Sequence, residues 1–189
     1  MQLSVIILNY NVRYFLELCV LSVQKSIQNL DAEIIIVDNA SADGSVEMLK
    51  EKFNEFKLIF NTDNVGFSKA NNQAIRVAQG EFILLLNPDT VVAEDTFKKT
   101  IDFMDETPDC GGLGTRMIDG RGNFLPESKR GLPTPLVAFY KISGLSKIFP
   151  ASKKFGQYHL GHLSEFEINE IDILSGAFMM IKKSVLDQI

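Results

Sequence analysis

Three short, unbroken apolar runs, Val5-Ile6-Ile7-Leu8, Ile34-Ile35-Ile36-Val37 and Phe82-Ile83-Leu84-Leu85-Leu86, constrain the fold of this 189-residue chain more than any other feature. A strand with one face in water alternates polar and apolar residues. An unbroken run needs cover on both faces, the condition of a parallel sheet between helical layers. Leu58-Ile59-Phe60 reads as a fourth, shorter strand. Between the runs the period changes to that of a helix. Phe15, Leu18, Cys19, Val23 and Ile27 form the apolar stripe of a first helix, and further helices are expected over 45–53, 67–78 and 94–104. The β-α-β-α-β-α-β-α order implies an α/β fold with right-handed crossovers.

From residue 110 the pattern changes. Glycines and prolines punctuate 110–135, and Asp119-Gly120-Arg121-Gly122 signals a hairpin between 113–118 and 123–125. One helix is expected around 136–143, followed by a weakly patterned, mobile segment. A strand is expected over 171–181, running through Ser175-Gly176-Ala177, and then a short helix from Ser184. The reading is one domain in two halves, 1–109 and 110–189.

Charge and composition remove several function classes. Nineteen Lys/Arg against 24 Asp/Glu leave a net charge of −5, unsuited to holding a nucleic-acid backbone by bulk charge. Cys19 and Cys110 make neither a disulfide framework nor a zinc site, and buried free thiols are expected, as in a reducing compartment. The start Met1-Gln2-Leu3-Ser4 enters a strand directly, without the pattern of a signal peptide, so a cytoplasmic protein is expected. Neither Gly-x-Gly-x-x-Gly nor a Walker loop follows a strand. Asn39-Ala40-Ser41-Ala42-Asp43-Gly44 mimics a calcium loop but has Lys50 at its twelfth position, where a carboxylate is required. His159 and His162 read as solvent-exposed loop residues.

In an open α/β sheet, ligands bind beyond the carboxyl ends of the strands. Each run here ends in a polar cluster: Asn9-Tyr10-Asn11, Asp38-Asn39-Ala40-Ser41, Asn61-Thr62-Asp63-Asn64-Val65-Gly66 and Asn87-Pro88-Asp89-Thr90. Any one of them is ordinary turn and helix-cap chemistry. Four on one edge indicate a site.

As an ordered set, Val5-Ile6-Ile7-Leu8-Asn9-Tyr10-Asn11, Val37-Asp38-Asn39-Ala40-Ser41-Ala42-Asp43-Gly44-Ser45, Asn64-Val65-Gly66-Phe67-Ser68-Lys69-Ala70-Asn71-Asn72, Leu85-Leu86-Asn87-Pro88-Asp89-Thr90 and Ile173-Leu174-Ser175-Gly176-Ala177-Phe178-Met179-Met180-Ile181 resemble family-2 glycosyltransferases of the GT-A fold, most of all the rhamnosyltransferase-like branch. The resemblance implies a Rossmann-like, mostly parallel central sheet flanked by helices, here incomplete at its C-terminal side. It also implies a nucleoside diphosphate sugar donor, dTDP- or UDP-linked, and a polysaccharide or lipid-linked glycan acceptor. Membrane association is expected only peripherally, through regions outside the chain.

Residue by residue, the resemblance assigns the donor site to Leu8, Asn9, Tyr10, Asp38, Asn64, Gly66, Lys69, Asn87 and Asp89. Asp38 is similar to the carboxylate that accepts from the base, and Tyr10 to the aromatic beside it. Asn64 and Gly66 let the backbone approach the nucleotide, and Lys69 reaches the diphosphate. Asn87-Pro88-Asp89 stands where the family has Asp-x-Asp, so Asp89 is the expected ligand of Mg²⁺ or Mn²⁺. Arg116, Arg121 and Arg130 are either phosphate or acceptor contacts or solvated surface. Gly176 and Ala177 either leave room for a sugar ring or simply pack closely. The family's catalytic base belongs to a Glu-Asp motif about twenty residues beyond Ser-Gly-Ala. Only eight residues follow Ile181 here, Asp187 does not match that motif, and no residue is assigned as base. The resemblance therefore describes a donor-binding portion. A non-catalytic sugar-nucleotide-binding or scaffolding module is the alternative, and a nucleotidyltransferase is disfavoured because Asn9-Tyr10-Asn11-Val12-Arg13 is not a glycine-rich loop.

Overall fold

The computed structural model describes residues 1–188. In chain order its elements are β1 (Leu3–Asn9), α1 (Arg13–Ser26), β2 (Ala32–Asp38), α2 (Ser45–Lys52), β3 (Lys57–Phe60), α3 (Phe67–Val77), β4 (Phe82–Leu86), α4 (Thr96–Glu106), β5 (Gly112–Leu113), α5 (Pro135–Ile142), α6 (Leu145–Ile148), β6 (Phe178–Lys182) and α7 (Lys183–Leu186). They belong to two compact units: Met1–Leu113 together with the segment from Gly176 onward, and Gly114–Ser175.

The first unit is built on a six-stranded sheet in the order β3-β2-β1-β4-β6-β5. The strands β1 to β4 run parallel, and β6 lies antiparallel between β4 and β5. The unbroken apolar runs divide by period two between the two faces of this sheet. Val5, Ile7, Ile34, Ile36, Leu84 and Leu86 pack with Leu16 and Val20 of α1, Leu49 of α2 and Phe97 of α4. Ile6, Ile35, Val37, Ile83 and Leu85 pack with Ala70 and Ala74 of α3. Small alanines let α3 lie close to the strands. Burying a large side chain such as Phe97 contributes roughly 1.5–3 kcal/mol.

The parallel pairing sets Asn9 opposite Asp38 and Ile7 opposite Leu86. The carboxyl ends of β1, β2 and β4 therefore share one edge. The chain steps outward from β1 to β2 and β3, then returns to the other side of β1 as β4. The β1–β4 boundary is thus the topological switch point, where such sheets open a crevice.

Four expectations need correction here. The buried stripe of α1 is Leu16, Cys19, Val20 and Val23, whereas Phe15 and Leu18 are exposed. The strand expected over 171–181 is limited to Phe178–Lys182, because only that part finds a partner along β4. Before it, Ile173 makes one isolated bridge, to Arg130. The compact units do not follow the halves 1–109 and 110–189, since β6 returns to the first sheet. His159 and His162 are half-buried, and the Nδ1 of each is shielded from solvent.

In the second unit the expected hairpin is a tight turn with a single bridge, Ile118 to Phe124. The Asp119 carboxylate accepts from the Arg121 and Asn123 backbone N–H groups, both at 2.9 Å. Gly156 and Gly161 carry the Pro150 carbonyl against their Cα atoms. A Cβ there would lie 2.0 and 2.1 Å from its oxygen, so only glycine fits.

Candidate functional site

The loops beyond β1 and β2 are fastened to each other by the protein's own hydrogen bonds. Asn9, fully buried, donates from Nδ2 to Asp38 Oδ2 at 2.7 Å and to Ser41 Oγ at 3.0 Å. Asp38 Oδ1 accepts from the Ser41 N–H at 2.8 Å. Ser41 Oγ in turn accepts from the Asn11 N–H, and Asn11 Oδ1 accepts from the Ala42 N–H. Asn11 and Ala40 both hold positive φ, 54° and 62°, a conformation costly for residues with a Cβ and sustained here by this network.

Asp43 begins two helices at once. Its Oδ2 accepts from the first N–H of α1, Arg13 N, and its Oδ1 from Ser45 N and Oγ at the start of α2. Partial burial opposes its charge, but these donors together hold its carboxyl below the ordinary Asp range.

The Asn87-Pro88-Asp89 turn after β4 is anchored from two sides. Asn87 N donates to Ala177 O at 3.1 Å, and the Cys19 thiol of α1 reaches Asn87 O at 3.6 Å. Burial, and then the negative charge of Asp89, push that thiol up to about 12, so it stays protonated as a donor.

These loops line a cleft of about 350 Å³ formed by Leu8, Tyr10, Val12, Asn39, Asn64, Phe67, Asn87, Pro88 and Asp89. Five residues expected from the sequence are in it: Leu8, Tyr10, Asn64, Asn87 and Asp89. Tyr10 is half-exposed, with its ring free to meet a planar ligand. Asp89 is exposed and is the one carboxylate among the described lining residues.

The other four lie elsewhere. Asp38 is fully buried, with both oxygens bound to the protein, and it is Asn39 that lines the cleft. Asn9 lies in the same buried layer. Gly66 precedes α3 with φ 84°, and a Cβ there would meet nothing within 4 Å, so its conformation rather than crowding favours glycine. Lys69 projects from the first turn of α3 and is exposed, outside the lining. The sequence signal that could have pointed to Asn39 is its place in the polar cluster directly after the Ile34–Val37 run; the register that ends at Asp38 comes from the structure. Asn39 Oδ1 accepts from Asn61 Nδ2 at 2.8 Å, and its Nδ2 donates to Asn64 Oδ1 at 3.2 Å. Asn64 Oδ1 also accepts from Gly66 N at 3.0 Å.

In the second unit, Arg116 pairs with Glu165 at 2.7 Å and lies over the rings of Phe124 and Phe166. Arg121 is exposed, and Arg130 is half-buried. A Cβ on Gly176 would meet Phe67 Cζ at 3.7 Å, an ordinary packing distance beside the cleft.

The family model described as Glycosyl transferase family 2 matches residues 4–189. The chain belongs to glycosyl transferase family 2. This family-2 chain is 34% identical over 171 residues to an uncharacterized glycosyltransferase of Haemophilus influenzae, covering 88% of its own length and 59% of the relative's. It thus spans little more than half of that protein. Residues 1–349 of Staphylococcus aureus TarS, solved in complex with UDP, superpose with a TM-score of 0.57 at 26% identity, over 72% of this chain and 39% of that one. A mannosyltransferase of Pyrobaculum calidifontis, solved with GDP-Man and Mn²⁺, has a TM-score of 0.64 at 19% identity, over 99% of this chain and 46% of that one, a likeness of fold. The fold is the GT-A arrangement that the ordered motifs imply.

Proposed function

We propose that the chain is the donor-binding portion of an inverting glycosyltransferase and takes a UDP- or dTDP-linked sugar into the cleft at the β1–β4 switch point. The observation that carries this reading is the convergence of Tyr10, Asn39, Asn64, Asn87 and Asp89 on one crevice. The UDP complex of TarS supports a uridine-type nucleotide. Asn39 retains one amide hydrogen and one oxygen lone pair after its bonds to Asn64 and Asn61. An imide edge, as in uracil or thymine, offers the complementary donor and acceptor. Asp38 acts behind it, holding the β1 and β2 loops in register. Tyr10 supplies a face for the base.

Asp89 and the amide oxygen of Asn87 are hard oxygen donors and suit Mg²⁺ or Mn²⁺ completed by phosphates and water. A cation held there supplies positive charge to the departing nucleoside diphosphate. Cys19 and Ala177 keep the turn that carries both donors in place. Lys69 is placed to approach a diphosphate from the start of α3. The general base for the acceptor hydroxyl is not assigned to any residue of this chain. The acceptor is a polysaccharide or lipid-linked glycan, and rhamnose is the sugar favoured by the motif resemblance.

Calorimetry of the chain with UDP and dTDP, with and without Mn²⁺, tests this reading. Binding of at least one nucleotide is expected, tightened about ten-fold or more by the cation, equivalent to about 1.4 kcal/mol. Absence of binding under every condition would sink it.

A further inference from the structure

Residues 128–164 contain six Lys/Arg and not one Asp or Glu, in a chain whose net charge is −5. The unit Gly114–Ser175 carries eight Lys/Arg against six Asp/Glu, while the rest of the chain carries eleven against eighteen. Positive charge is therefore concentrated in one sequence-contiguous stretch, which also holds α5 and α6.

Within that stretch, α5 is apolar on both of its sides. Val137 and Tyr140 point inward and are buried. Leu136, Phe139 and Ile142, at i, i+3 and i+6, face outward and are exposed, Ile142 to 86%. Lys141 in the last turn of α5 is exposed beside these apolar side chains, the mixture of apolar and basic residues that suits a bilayer interface. Leu132 before it, and Ile148 and Phe149 at the end of α6, are at least half exposed as well. The arrangement rests on an aromatic floor. The Tyr140 ring meets Phe155 edge-on at 5.0 Å, and Phe155 meets Phe149 at 5.7 Å. Thr134 Oγ1 accepts from Val137 N and caps the start of α5. Lys147, Lys153 and Lys154 are all exposed.

We propose that this stretch is a docking surface for an anionic phospholipid membrane, with the α5–α6 segment lying in the headgroup region. Binding of a helix at a bilayer surface grows with the apolar area it buries and with its attraction to anionic lipid, and both contributions occur here: apolar side chains to enter the acyl boundary and lysines to meet anionic headgroups. Charge complementarity selects lipid as the occupant. A segment of this length without a carboxylate matches a surface that is negative throughout, such as one rich in phosphatidylglycerol. The helices are of eight and four residues, and no helix among the described residues is long and apolar enough to cross a membrane, so the segment lies on the bilayer. This surface is independent of the nucleotide cleft and stands or falls separately from it.

Flotation of the chain with vesicles tests the proposal. Phosphatidylcholine alone is compared with an equal mixture of phosphatidylcholine and phosphatidylglycerol. Binding is expected to the mixture, to fall with added salt, and to be weak or absent with phosphatidylcholine. Ile142→Glu is expected to weaken it about ten-fold or more, because a charge replaces a buried apolar contact. Lys147→Gln, Lys153→Gln and Lys154→Gln are expected to weaken it about five-fold each. Lys25→Gln on α1, likewise exposed, is the surface control and should leave it unchanged. All these side chains are exposed, so each variant should retain the parent thermal midpoint, which is measured alongside. No binding, equal binding to both vesicle types, or equal loss in the control would overturn the proposal. So would sedimentation showing a dimer that Ile142→Glu splits, without vesicle binding, since the face would then join two copies of the chain.

Discussion

At the scale of single residues, Asp38 and Asn39 are neighbours with opposite duties. Asp38, fully buried at the end of β2, satisfies Asn9 and the Ser41 N–H, while Asn39, 3% exposed, lines the floor of the cleft. Asp38→Ala should therefore act mainly on stability. It removes the acceptor of one Asn9 amide hydrogen and of the Ser41 N–H, at about 2–4 kcal/mol, while the Asn9 bond to Ser41 Oγ stays. Asn39→Ala should cost about 1 kcal/mol of stability and weaken UDP binding about five- to ten-fold. Paired thermal melts and calorimetry check the contrast. A folded Asp38→Ala protein that loses more affinity than Asn39→Ala would return the base contact to Asp38. The sequence alone placed both residues at the ligand edge. The family resemblance singled out Asp38 and left Asn39 unassigned, because a one-residue step along an extended chain reverses the side chain's direction, and only the packed sheet defines which direction is inward.

At the scale of elements, the sheet edge remote from the cleft is tied by Glu33 of β2. Its carboxylate accepts from Ser4 Oγ and from Gln79 N, each at 2.7 Å, and from Lys57 Nζ at 3.0 Å. Burial opposes its charge, but these donors together hold its carboxyl below the ordinary Glu value of 4.5. A carboxyl lowered in the folded state leaves the unfolded chain binding more protons at acid pH. Its contribution is thus complete above the ordinary Glu range and is lost as pH falls through the lowered folded value. Glu33→Gln should be less stable than the parent by about 1–3 kcal/mol at neutral pH. The gap should narrow once pH falls below 4.5. Urea unfolding at the two pH values measures it, and a gap independent of pH would assign the loss to packing instead. The existence of β1, β2, β4 and the helices between them was legible in the sequence because their apolar periods are strong, although β1 finds its β4 partner about eighty residues away. The 171–177 stretch is not a strand because apolar content alone does not supply a neighbouring strand.

At the scale of the whole molecule, the first sheet is discontinuous in sequence. After β5 the chain leaves for the unit Gly114–Ser175, and then β6 comes back to pair with β4 and β5. β4 is buried on both faces, so without β6 its backbone donors and acceptors would form an open, apolar edge, a template for aggregation. A chain ending at Ser175 should therefore be insoluble or collapse into a state without a cooperative melt, whereas the full chain melts cooperatively. Circular dichroism and sedimentation of the two distinguish these outcomes. A soluble, cooperatively folding 1–175 chain would show that β6 is dispensable.

The sequence by itself determined the layered α/β architecture, the polar edge at the strand ends and, through its ordered motifs, the family. All three rest on local periodicity and on residue types at fixed spacing. Tertiary structure alone decided which polar side chains look into the cleft, where β6 pairs, and that Phe15, Leu18 and the outer face of α5 remain uncovered. The physical reason is common to all of them. Hydrophobicity says that a side chain prefers burial, and only the positions of distant elements determine whether anything is there to bury it.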